Sequence, residues 1–299
     1  MASLTLTVSP EQSGRCVRSV LKNELHLSSS CINRLKRTES GITVNGRRAF
    51  TNAILSTGDL LIVDISAAER PTNIAPVDIP LDIVFEDEHL LIINKSAPLA
   101  VIPSSLAPDE PTLANALAHY FGADFTFHPV NRLDRSTTGL MIVAKSSFIH
   151  DQLQRVFHSG NFTRRYLAVC EGSPDPAEGE ITFPIARKEG SAIARRVSSD
   201  GQHAHSTYRT LLRTARFSLM ELTPHTGRTH QLRVHMAAVG HPLVGDWLYG
   251  TEDHALITRP ALHAAFLSVT HPITGELIEH SAPLPADMKR LMELGTWLN

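Results

Sequence analysis

An aspartate flanked by two arginines stands in a polar loop that leads directly into an apolar segment. The loop reads HPVNRLDRSTTG, and Asp134 lies between Arg132 and Arg135. An arginine within about 4–6 Å keeps a carboxylate ionised even where solvent is partly excluded. Such a carboxylate can act as a nucleophile or an electrostatic partner at a sugar carbon. On residue types alone, an ion pair that merely fixes the loop is the competing interpretation.

A second polar segment, LTPHTGRTHQLRVH, ends in a predicted helix. Thr229 is the expected N-cap of a helix over residues 229–239, whose apolar side chains face the core. His230 and Arg233 are three residues apart and are expected to share an adjacent face. An arginine on a rigid helix beside the core is suited to pair with a carboxylate or a phosphate. The alternative is a solvated basic face.

Three histidines at intervals of five residues raise the question of a metal site. His225, His230 and His235 would lie about 140° apart around an α-helix, because 3.6 residues make one turn. They cannot converge on one ion, and no cysteine or paired glutamate joins them. We therefore expect no metal site.

Tyr166 lies in the segment FTRRYLAV, which predicts a strand. A tyrosine in a strand is usually a core or rim residue, but an aromatic face also stacks well on a nucleobase. The residues around Tyr166 do not decide between these two roles.

The elements that position these residues include strands with both hairpin and helical connections. Apolar patterns predict two strands between residues 81 and 101, single strands over residues 139–144 and 166–170, and a hairpin over residues 205–223. Helices are expected over residues 112–121, 148–158 and 229–239. This order predicts an α+β domain with a mixed, largely antiparallel sheet and flanking helices rather than a doubly wound sheet.

The first 70 residues predict a small helix-rich module. A helical stripe covers residues 15–27, Ser28 can cap a second helix, and a strand over residues 41–46 ends in an Asn-Gly turn. Another strand is expected at residues 60–65. A proline-rich stretch then indicates a linker. We therefore divide the chain into a module of residues 1–70, a linker of residues 71–80 and a larger domain of residues 81–299.

Composition excludes several classes of protein. The 299 residues are 42% hydrophobic and 19% charged, and no apolar run approaches the ~20 residues that span a bilayer. The three cysteines form no CxxC pair, so a disulfide scaffold is not expected. The N-terminus lacks the pattern of a signal peptide. These features predict a cytoplasmic protein without membrane association, and we expect a monomer.

Charge is unevenly distributed although the net charge is only −2. Residues 15–48 hold eight basic residues against two acidic ones, whereas residues 59–110 hold ten acidic residues against two basic ones. Such asymmetry indicates one segment that meets phosphate and another that does not. Two ordinary solvated surfaces are the alternative.

The N-terminal segments SSSCINRLKR, GITVNG and STGDLLIVDI resemble a small RNA-binding module first described in a ribosomal small-subunit protein. In that family the second helix and the following turn present basic residues to RNA. The resemblance implies that Arg34, Lys36 and Arg37 contact RNA in this chain.

Four longer stretches resemble, in order and spacing, the RluA/RluD group of RNA pseudouridine synthases. They are NRLDRSTTGLMIVAK, RRYLAV, LTPHTGRTHQLRVHMAAVGHPLVGDWLYG and LHAAFLSVTHPITGELIEHSAPLP, and IVFEDEHLLIINKSAP resembles the opening of the catalytic domain. The resemblance covers the whole larger domain and implies the pseudouridine synthase fold. It implies that Asp134 is the essential carboxylate, Tyr166 the active-site aromatic residue and Arg233 the basic partner of the carboxylate. Leu262 would line the base pocket, and Arg132 would position flipped RNA.

Three positions depart from the usual pattern of this group. Asn131 and Ile102 stand where the group has histidine, and Arg164 replaces a common lysine while keeping the charge. The aspartate, tyrosine and arginine of the resemblance are intact. The departures leave the subgroup open.

The resemblance implies isomerisation of uridine to pseudouridine in structured RNA, with large-subunit ribosomal RNA as the expected partner and transfer RNA as the alternative. The reaction cleaves the N-glycosidic bond, rotates the uracil and rejoins it through carbon, after the uridine has left its stack. Asp134 can attack the sugar, attack the base or abstract a sugar proton, and the sequence does not choose among these routes. Because no group leaves and no electrons are exchanged overall, no cofactor is expected.

Two other functions compete with this interpretation. A hydrolase acting on a glycosidic or nucleoside bond would need a second carboxylate about 5–9.5 Å from Asp134, and no sequence motif supplies one. A non-catalytic RNA-binding or ribosome-assembly factor would have no use for the intact aspartate, tyrosine and arginine, which argues against that role.

Overall fold

The N-terminal module contains a four-stranded sheet and two short helices. The computed structural model describes residues 3–65, 74–122, 124–158 and 160–294. The elements of the module are β1 (Ser3–Thr7), α1 (Val17–Asn23), α2 (Ser29–Leu35), β2 (Ile42–Val44), β3 (Arg47–Arg48) and β4 (Leu60–Asp64). The strands lie in the order β1-β4-β2-β3, and each neighbouring pair is antiparallel.

Two local signals in this module act as predicted. The Ser28 side chain accepts the Cys31 N–H at 3.1 Å and caps α2. Asn45 and Gly46 form the turn between β2 and β3, with φ angles of 52° and 77°. Asparagine and glycine are the residues that adopt this left-handed backbone most readily.

The first helix is shorter than the predicted span of residues 15–27. His26 takes a left-handed backbone with φ 55°, and the Leu27 N–H returns to the Leu21 carbonyl at 2.9 Å. This turn ends the helical path early. It also directs the His26 carbonyl toward the larger domain, where it accepts a hydrogen bond from Gln152 Nε2 at 3.1 Å.

The larger domain is built on a ten-stranded sheet. Its elements are β5 (Ile83–Glu86), β6 (Leu90–Lys95), α3 (Leu113–Phe121), β7 (His128–Pro129), β8 (Thr138–Ala144), α4 (Ser147–His158), β9 (Phe162–Glu171), β10 (Glu178–Ile181), β11 (Ile185–Arg187), β12 (Arg195–Val197), β13 (Ser206–Arg213), β14 (Phe217–Pro224), α5 (Gln231–Ala238), β15 (Leu262–Thr270), β16 (Leu277–Ser281) and α6 (Ala286–Glu293). Eight strands follow the order β10-β13-β14-β9-β15-β8-β6-β5, with β16 beside β15 and β7 beside β8. β11 and β12 form a separate two-stranded sheet.

The direction of the strands confirms the predicted fold class. β8 and β15 run parallel, whereas the other neighbouring strands run antiparallel. The domain is therefore α+β, with a mixed and largely antiparallel sheet. Among the helices of the described residues, none has the length and apolar character that a bilayer crossing requires.

The N-terminal module and the larger domain share one apolar cluster. Its buried members include Leu27 and Ile32 from the module and Ile149 and Leu153 from α4. Residues 66–73, which include part of the predicted linker, lie outside the described residues. The division of the chain at residues 70 and 80 stays a prediction, and the shared cluster shows that the module lies against the larger domain.

Four neighbouring strands at the centre of the sheet carry or adjoin the predicted site residues. In the series β14-β9-β15-β8, Tyr166 of β9 pairs with Leu222 of β14 and with Ala264 of β15. Leu262 begins β15, and the loop that contains Asp134 leads into β8. Since α5 follows β14 along the chain, the sheet brings sequence-distant residues to one end of these strands.

The parallel strands β8 and β15 approach each other closely at Gly139. Its φ is +110°, and a Cβ added there would lie 2.3 Å from the Ala264 carbonyl oxygen and 2.6 Å from the Ala264 nitrogen. One position earlier, Thr138 Oγ1 and His263 Nδ1 share a hydrogen bond of 2.8 Å. This contact sets the distance between the Asp134 loop and the start of β15.

Gly139→Ala is expected to lower the free energy of unfolding by about 2–4 kcal/mol, because the methyl group collides with the β15 backbone as well as straining a positive φ. Gly275→Ala is the matched control, since Gly275 has φ +75° and nothing within 4 Å of the added Cβ. It should cost about 1 kcal/mol through backbone strain alone. Urea denaturation measures both variants, and equal losses would contradict the close approach of the two strands.

Candidate active site

The Asp134 loop is fixed to the strand that follows it. The Asp134 carbonyl accepts the Thr137 N–H at 3.0 Å, and Asn131 Oδ1 accepts the Ile142 N–H at 2.9 Å. The Asp134 side chain keeps 26% of its surface exposed. The loop therefore presents a half-buried carboxylate that a ligand can reach.

Arg233 on α5 lies between two carboxylates. Its Nε and Nη2 each donate to an oxygen of Asp246 at 2.8 Å, and its Nη1 donates to Asp134 Oδ2 at 3.4 Å. The Arg233 side chain is 3% exposed and the Asp246 side chain 0%. The interpretation of Arg233 as part of a solvated basic face is therefore wrong, since the guanidinium is buried and bound on both sides.

The charge of Arg233 is strongly favoured. Burial alone would lower the guanidinium pKa, but the hydrogen bonds and charge of Asp246, together with the charge of Asp134, raise the pKa above its ordinary value. The Tyr249 ring lies over the guanidinium, with 5.1 Å from Arg233 Cζ to the ring centroid. A permanent, immobile positive charge thus stands beside Asp134.

Lys95 connects two segments at the base of the Asp134 loop. Its Nζ donates to the carbonyls of Ser96 and Leu99 at 2.8 Å each, and to the Arg135 carbonyl at 3.4 Å. The side chain is buried. Burial lowers the pKa of Lys95 to about 7, although the negative charge of Asp134 opposes the shift. Sequence reasoning missed this residue, because a lysine at a strand end is usually solvated.

Tyr166 and Leu262 form an apolar wall beside the loop. Both are buried, and they belong to the same apolar cluster as Leu133, the residue before Asp134. Burial raises the pKa of Tyr166, against the opposing charge of Arg164. The phenol is therefore neutral at pH 7, which suits a contact with an uncharged ring.

His230, and not Thr229, is the N-cap residue of α5, so the predicted start of this helix is two residues too early. The Gln231 side chain accepts a backbone N–H of the preceding turn at 3.0 Å, which fixes the later start. The His230 Nε2 lies 3.8 Å from Asp134 Oδ2. His230 and Arg233 are therefore close to each other, as predicted, but they meet at the Asp134 carboxylate and do not share a helix face.

The contacts of the Asp134 carboxylate come from distant parts of the chain. Arg135, its neighbour in sequence, instead forms two hydrogen bonds of 2.9 and 3.0 Å with Glu110. Arg132 is exposed to solvent. The prediction that the flanking arginines hold the carboxylate is therefore wrong for Arg135, because Glu110 offers it a bidentate partner. Arg233 and His230 face the carboxylate instead.

The three positions that depart from the family pattern lie in different environments. Asn131 is buried, and its side chain bonds to the backbone of β8. Ile102 is exposed. The Arg164 guanidinium lies over the Phe157 ring, 4.6 Å from its centroid. Of the three, Asn131 directly shapes the Asp134 loop.

The predicted RNA-binding residues of the N-terminal module lie at the end of α2. Lys36 and Arg37 are exposed, whereas Arg34 is half-buried and donates from Nη1 to Ser30 Oγ at 3.0 Å. Their contact with RNA stays a prediction.

The three evenly spaced histidines have separate partners. His225 stacks on His205 with ring centroids 4.4 Å apart, while the two ring nitrogens of His235 share hydrogen bonds with Ser206 and the Phe183 carbonyl. His230 faces Asp134. Within the ranges that the structure describes, no group of three or more His, Cys, Asp or Glu side chains could hold a metal ion.

Lys95 makes the stability of the fold depend on pH. Between its folded pKa of about 7 and its ordinary value of 10.5, the unfolded chain holds a proton that the folded chain lacks. The free energy of unfolding should therefore rise with pH in this window, by up to about 1.4 kcal/mol per pH unit. Lys95→Met removes this contribution to the slope. Urea denaturation from pH 7.5 to pH 9.5 compares the two proteins.

The exposed residue Lys289 supplies the matched control for this measurement. Lys289→Met should keep the wild-type slope. A Lys95→Met protein whose stability follows pH as the wild type does would contradict the lowered pKa of the buried Lys95.

The chain is similar to known proteins along most of its length. Residues 89–238 match the family described as RNA pseudouridylate synthase. The chain is 39% identical over 272 residues to an RNA pseudouridine synthase of Bacillus subtilis. This alignment covers 90% of this chain and 96% of that protein. It is 40% identical over 253 residues to the ribosomal large subunit pseudouridine synthase D of Zymomonas mobilis, with 79% of each protein covered.

A solved structure agrees with these sequence similarities. The human RNA pseudouridylate synthase domain containing 1 superposes with a TM-score of 0.56 at 29% identity, over 68% of this chain and 83% of that chain. The family match contains Asp134, Tyr166 and Arg233, which the fold brings to one end of the central strands. The resemblance of the larger domain is confirmed: the chain belongs to the RNA pseudouridylate synthase family and is an RNA pseudouridine synthase.

Proposed function

We propose that Asp134 is the reacting carboxylate and that it isomerises a flipped-out uridine of structured RNA. Arg233 serves as its fixed cationic partner, and Tyr166 and Leu262 form the surface against which the uracil lies. The observation that carries this proposal is the position of Arg233, which is bound on one side by a fully buried carboxylate and faces Asp134 on the other.

Exposure distinguishes the two carboxylates around Arg233. Asp246 is 0% exposed and both of its oxygens accept hydrogen bonds from the guanidinium. Asp134 is 26% exposed and has a single, longer contact of 3.4 Å with the same group. Asp134 is therefore the carboxylate that a nucleoside can reach, and Asp246 is a positioning residue.

A fixed cation suits each of the routes open to Asp134. The carboxylate loses negative charge when it forms a bond or takes a proton, and it regains this charge when it is released. Arg233 does not have to reorganise during these changes, because Asp246 already holds it. Preorganised charge of this kind is usually the largest single contribution to catalysis. Attack on the sugar, attack on the base and abstraction of a sugar proton are all compatible with the site.

Access to Asp134 requires the uridine to leave its stack, which costs a few kcal/mol. Arg132 precedes Asp134 by two residues and is exposed on the same loop. We assign it the positioning of the RNA around the flipped nucleotide. Tyr166 is neutral and buried beside the loop, so it can contact the uracil ring without competing for the charge of Arg233.

The hydrolase alternative receives little support from the site. The candidate for the second carboxylate of a hydrolase is Asp246, because Asp246 and Asp134 both bind Arg233. A glycosidase needs its second carboxylate to reach the leaving group or a water molecule. Asp246 is fully buried and bidentately bound, so it can do neither.

We assign the N-terminal module, residues 1–70, to RNA binding and residues 81–299 to catalysis, joined by residues 71–80. The basic residues Lys36 and Arg37 are exposed at the end of α2. Large-subunit ribosomal RNA is the proposed substrate, because the similar protein of Zymomonas mobilis is a ribosomal large subunit pseudouridine synthase. Transfer RNA is the alternative outcome when pseudouridines are mapped with and without the gene.

Asp134→Asn is expected to lower the single-turnover rate of isomerisation below about 1% of the wild-type rate, because the amide keeps the shape but lacks the charge and nucleophilicity. RNA affinity should persist, since it comes from many phosphate contacts. Both quantities are measured on the same unmodified ribosomal RNA transcript. Retention of even a few per cent of the rate in a clean preparation would contradict the assignment of Asp134.

Replacement of Lys36 and Arg37 by alanine should weaken RNA binding and flatten its dependence on salt. Each phosphate that the variant no longer neutralises lowers the log–log slope of affinity against salt by roughly 0.7–0.9. The chemical step at saturating RNA should be unchanged. We favour this double variant over truncation of the module, because removal of residues 1–70 would expose the apolar cluster that the module shares with α4.

The matched control for this variant replaces Lys289 and Arg290 by alanine on the exposed face of α6. This control removes the same charge elsewhere and should keep the wild-type slope. Equal slopes in the wild type and the Lys36 and Arg37 variant would show that the end of α2 does not meet phosphate.

A further inference from the structure

His230 is held in an unusual conformation beside Asp134. Its backbone is left-handed, with φ 57° and ψ 19°, and its side chain makes no capping hydrogen bond to α5. Such a conformation costs on the order of 1–3 kcal/mol for a residue other than glycine, and it persists where the surroundings enforce it. The result is that the imidazole points to the Asp134 carboxylate rather than to the helix.

Both nitrogens of the His230 ring are placed by specific partners. Nε2 lies 3.8 Å from Asp134 Oδ2, and Nδ1 shares a hydrogen bond of 2.8 Å with Tyr249 Oη. Tyr249 Oη also accepts the Arg195 N–H at 2.9 Å, which fixes the hydroxyl. Tyr249 therefore orients the ring through Nδ1, and Nε2 is the nitrogen that faces Asp134.

The surroundings of His230 favour a neutral ring that can still be protonated. Burial lowers the pKa of His230, Asp134 opposes this shift, and the charge of Arg233 adds to it. The charge of Arg195 also lowers the pKa of His230, and the charge of Asp246 raises it. A neutral imidazole can accept a proton on Nε2, and the adjacent carboxylate then stabilises the imidazolium.

We propose that His230 carries the proton that pseudouridine formation moves from C5 to N1 of the uracil. This inference rests on the proposed function, in which Asp134 faces the reacting nucleoside. It makes His230 a catalytic residue for the step after the new carbon–carbon bond has formed, whichever route Asp134 follows before that step.

The proposed step balances in atoms and electrons. After the N1–C1′ bond has broken and the C5–C1′ bond has formed, C5 still bears its hydrogen. Nε2 of His230 takes this hydrogen as a proton, and the electrons of the C–H bond return to the uracil ring. The imidazolium then gives the proton to N1. His230 ends as it began, and no oxidant or reductant is consumed.

The other polar groups around the Asp134 loop are less suited to this transfer. Lys95 Nζ already donates to three backbone carbonyls. The raised pKa of Arg233 keeps the guanidinium charged at every physiological pH. Burial likewise raises the pKa of Tyr166, so its phenol is a poor base near pH 7. His230 combines a nitrogen that faces Asp134 with a pKa that burial lowers, so its neutral ring can accept a proton there.

The test replaces His230 by asparagine. Asparagine tolerates a left-handed backbone and its amide can hydrogen-bond to Tyr249, but it cannot transfer a proton in this range. The substrate is a large-subunit ribosomal RNA transcript made with uridine or with uridine deuterated at C5. Single-turnover isomerisation is measured with both RNAs from pH 5 to pH 9. His225→Asn, at an exposed histidine five residues earlier, is the matched control.

For His230→Asn we expect a rate about 10²- to 10⁴-fold below wild type, which is the usual contribution of a positioned acid–base group. The deuterium isotope effect should be larger than in the wild type, because removal of the C5 proton becomes the slow step. We expect the wild-type rate to fall at low pH as His230 takes up a proton, and this contribution to the pH profile should be absent in the variant. His225→Asn should behave as the wild type.

A wild-type rate in His230→Asn would overturn the proposal. A lower rate with an unchanged isotope effect would also overturn it, because His230 would then act only on the position of other groups.

If His230→Asn does not fold, Tyr249→Phe gives the same test. Loss of the hydroxyl that orients Nδ1 should lower the rate and raise the isotope effect, and an unchanged isotope effect would contradict proton transfer by His230. An active Asp134→Asn protein would refute the proposed function separately, since the isotope effect reports on the C5 proton alone.

Discussion

The buried ion pair between Arg233 and Asp246 is the interaction on which the rest of the site depends. Taking both charges out of water is costly, and the cost is offset here by two hydrogen bonds of 2.8 Å in a bidentate arrangement. A buried pair of this kind contributes little to stability compared with apolar side chains of the same volume. Its consequence is positional: Arg233 cannot rotate away from Asp134 without leaving Asp246 unpaired.

The sheet brings the partners of this pair to Asp134. β8, β15, β9 and β14 are neighbours, so the loop before β8, the start of β15, Tyr166 on β9 and the helix after β14 meet at one end of the strands. The absence of a side chain at Gly139 allows β8 and β15 to run parallel at very short distance. Lys95 then ties the loop to the segment after β6 through three carbonyls. The Asp134 loop is thus fixed from several directions while the Asp134 side chain stays partly exposed.

The sequence was sufficient to predict the fold class and the types of most elements. Apolar periodicity identified β8, α4 and the hairpin of β13 and β14, because these segments carry strong local patterns. Their order in the sheet could not be obtained in this way, since the parallel pairing of β8 with β15 joins segments more than 120 residues apart. The start of α5 was missed because Gln231, a residue with no capping preference, orders the turn before it.

The same distinction between local and distant contacts applies to the site. The resemblance named Asp134, Tyr166 and Arg233, and the structure brings all three to the same end of the sheet. Reasoning from adjacent residues gave Asp134 the wrong partner, because Arg135 is paired with Glu110, which lies 25 positions earlier. Asp246 and Tyr249 lie in the same segment as Arg233, one of the four that resemble the family, but their roles depend on burial and on side-chain packing. Such contacts leave no local pattern in the sequence.

We infer that the buried pair serves the reaction by holding Arg233 beside Asp134. The most direct test compares Asp246→Leu with the double variant Arg233→Met and Asp246→Leu. The single variant leaves a buried, unpaired guanidinium and should lose about 3–5 kcal/mol of unfolding free energy, whereas the double variant should recover most of that loss. We expect the double variant, although stable, to isomerise uridine at less than about 1% of the wild-type single-turnover rate. A stable double variant with a rate close to that of the wild type would contradict the account.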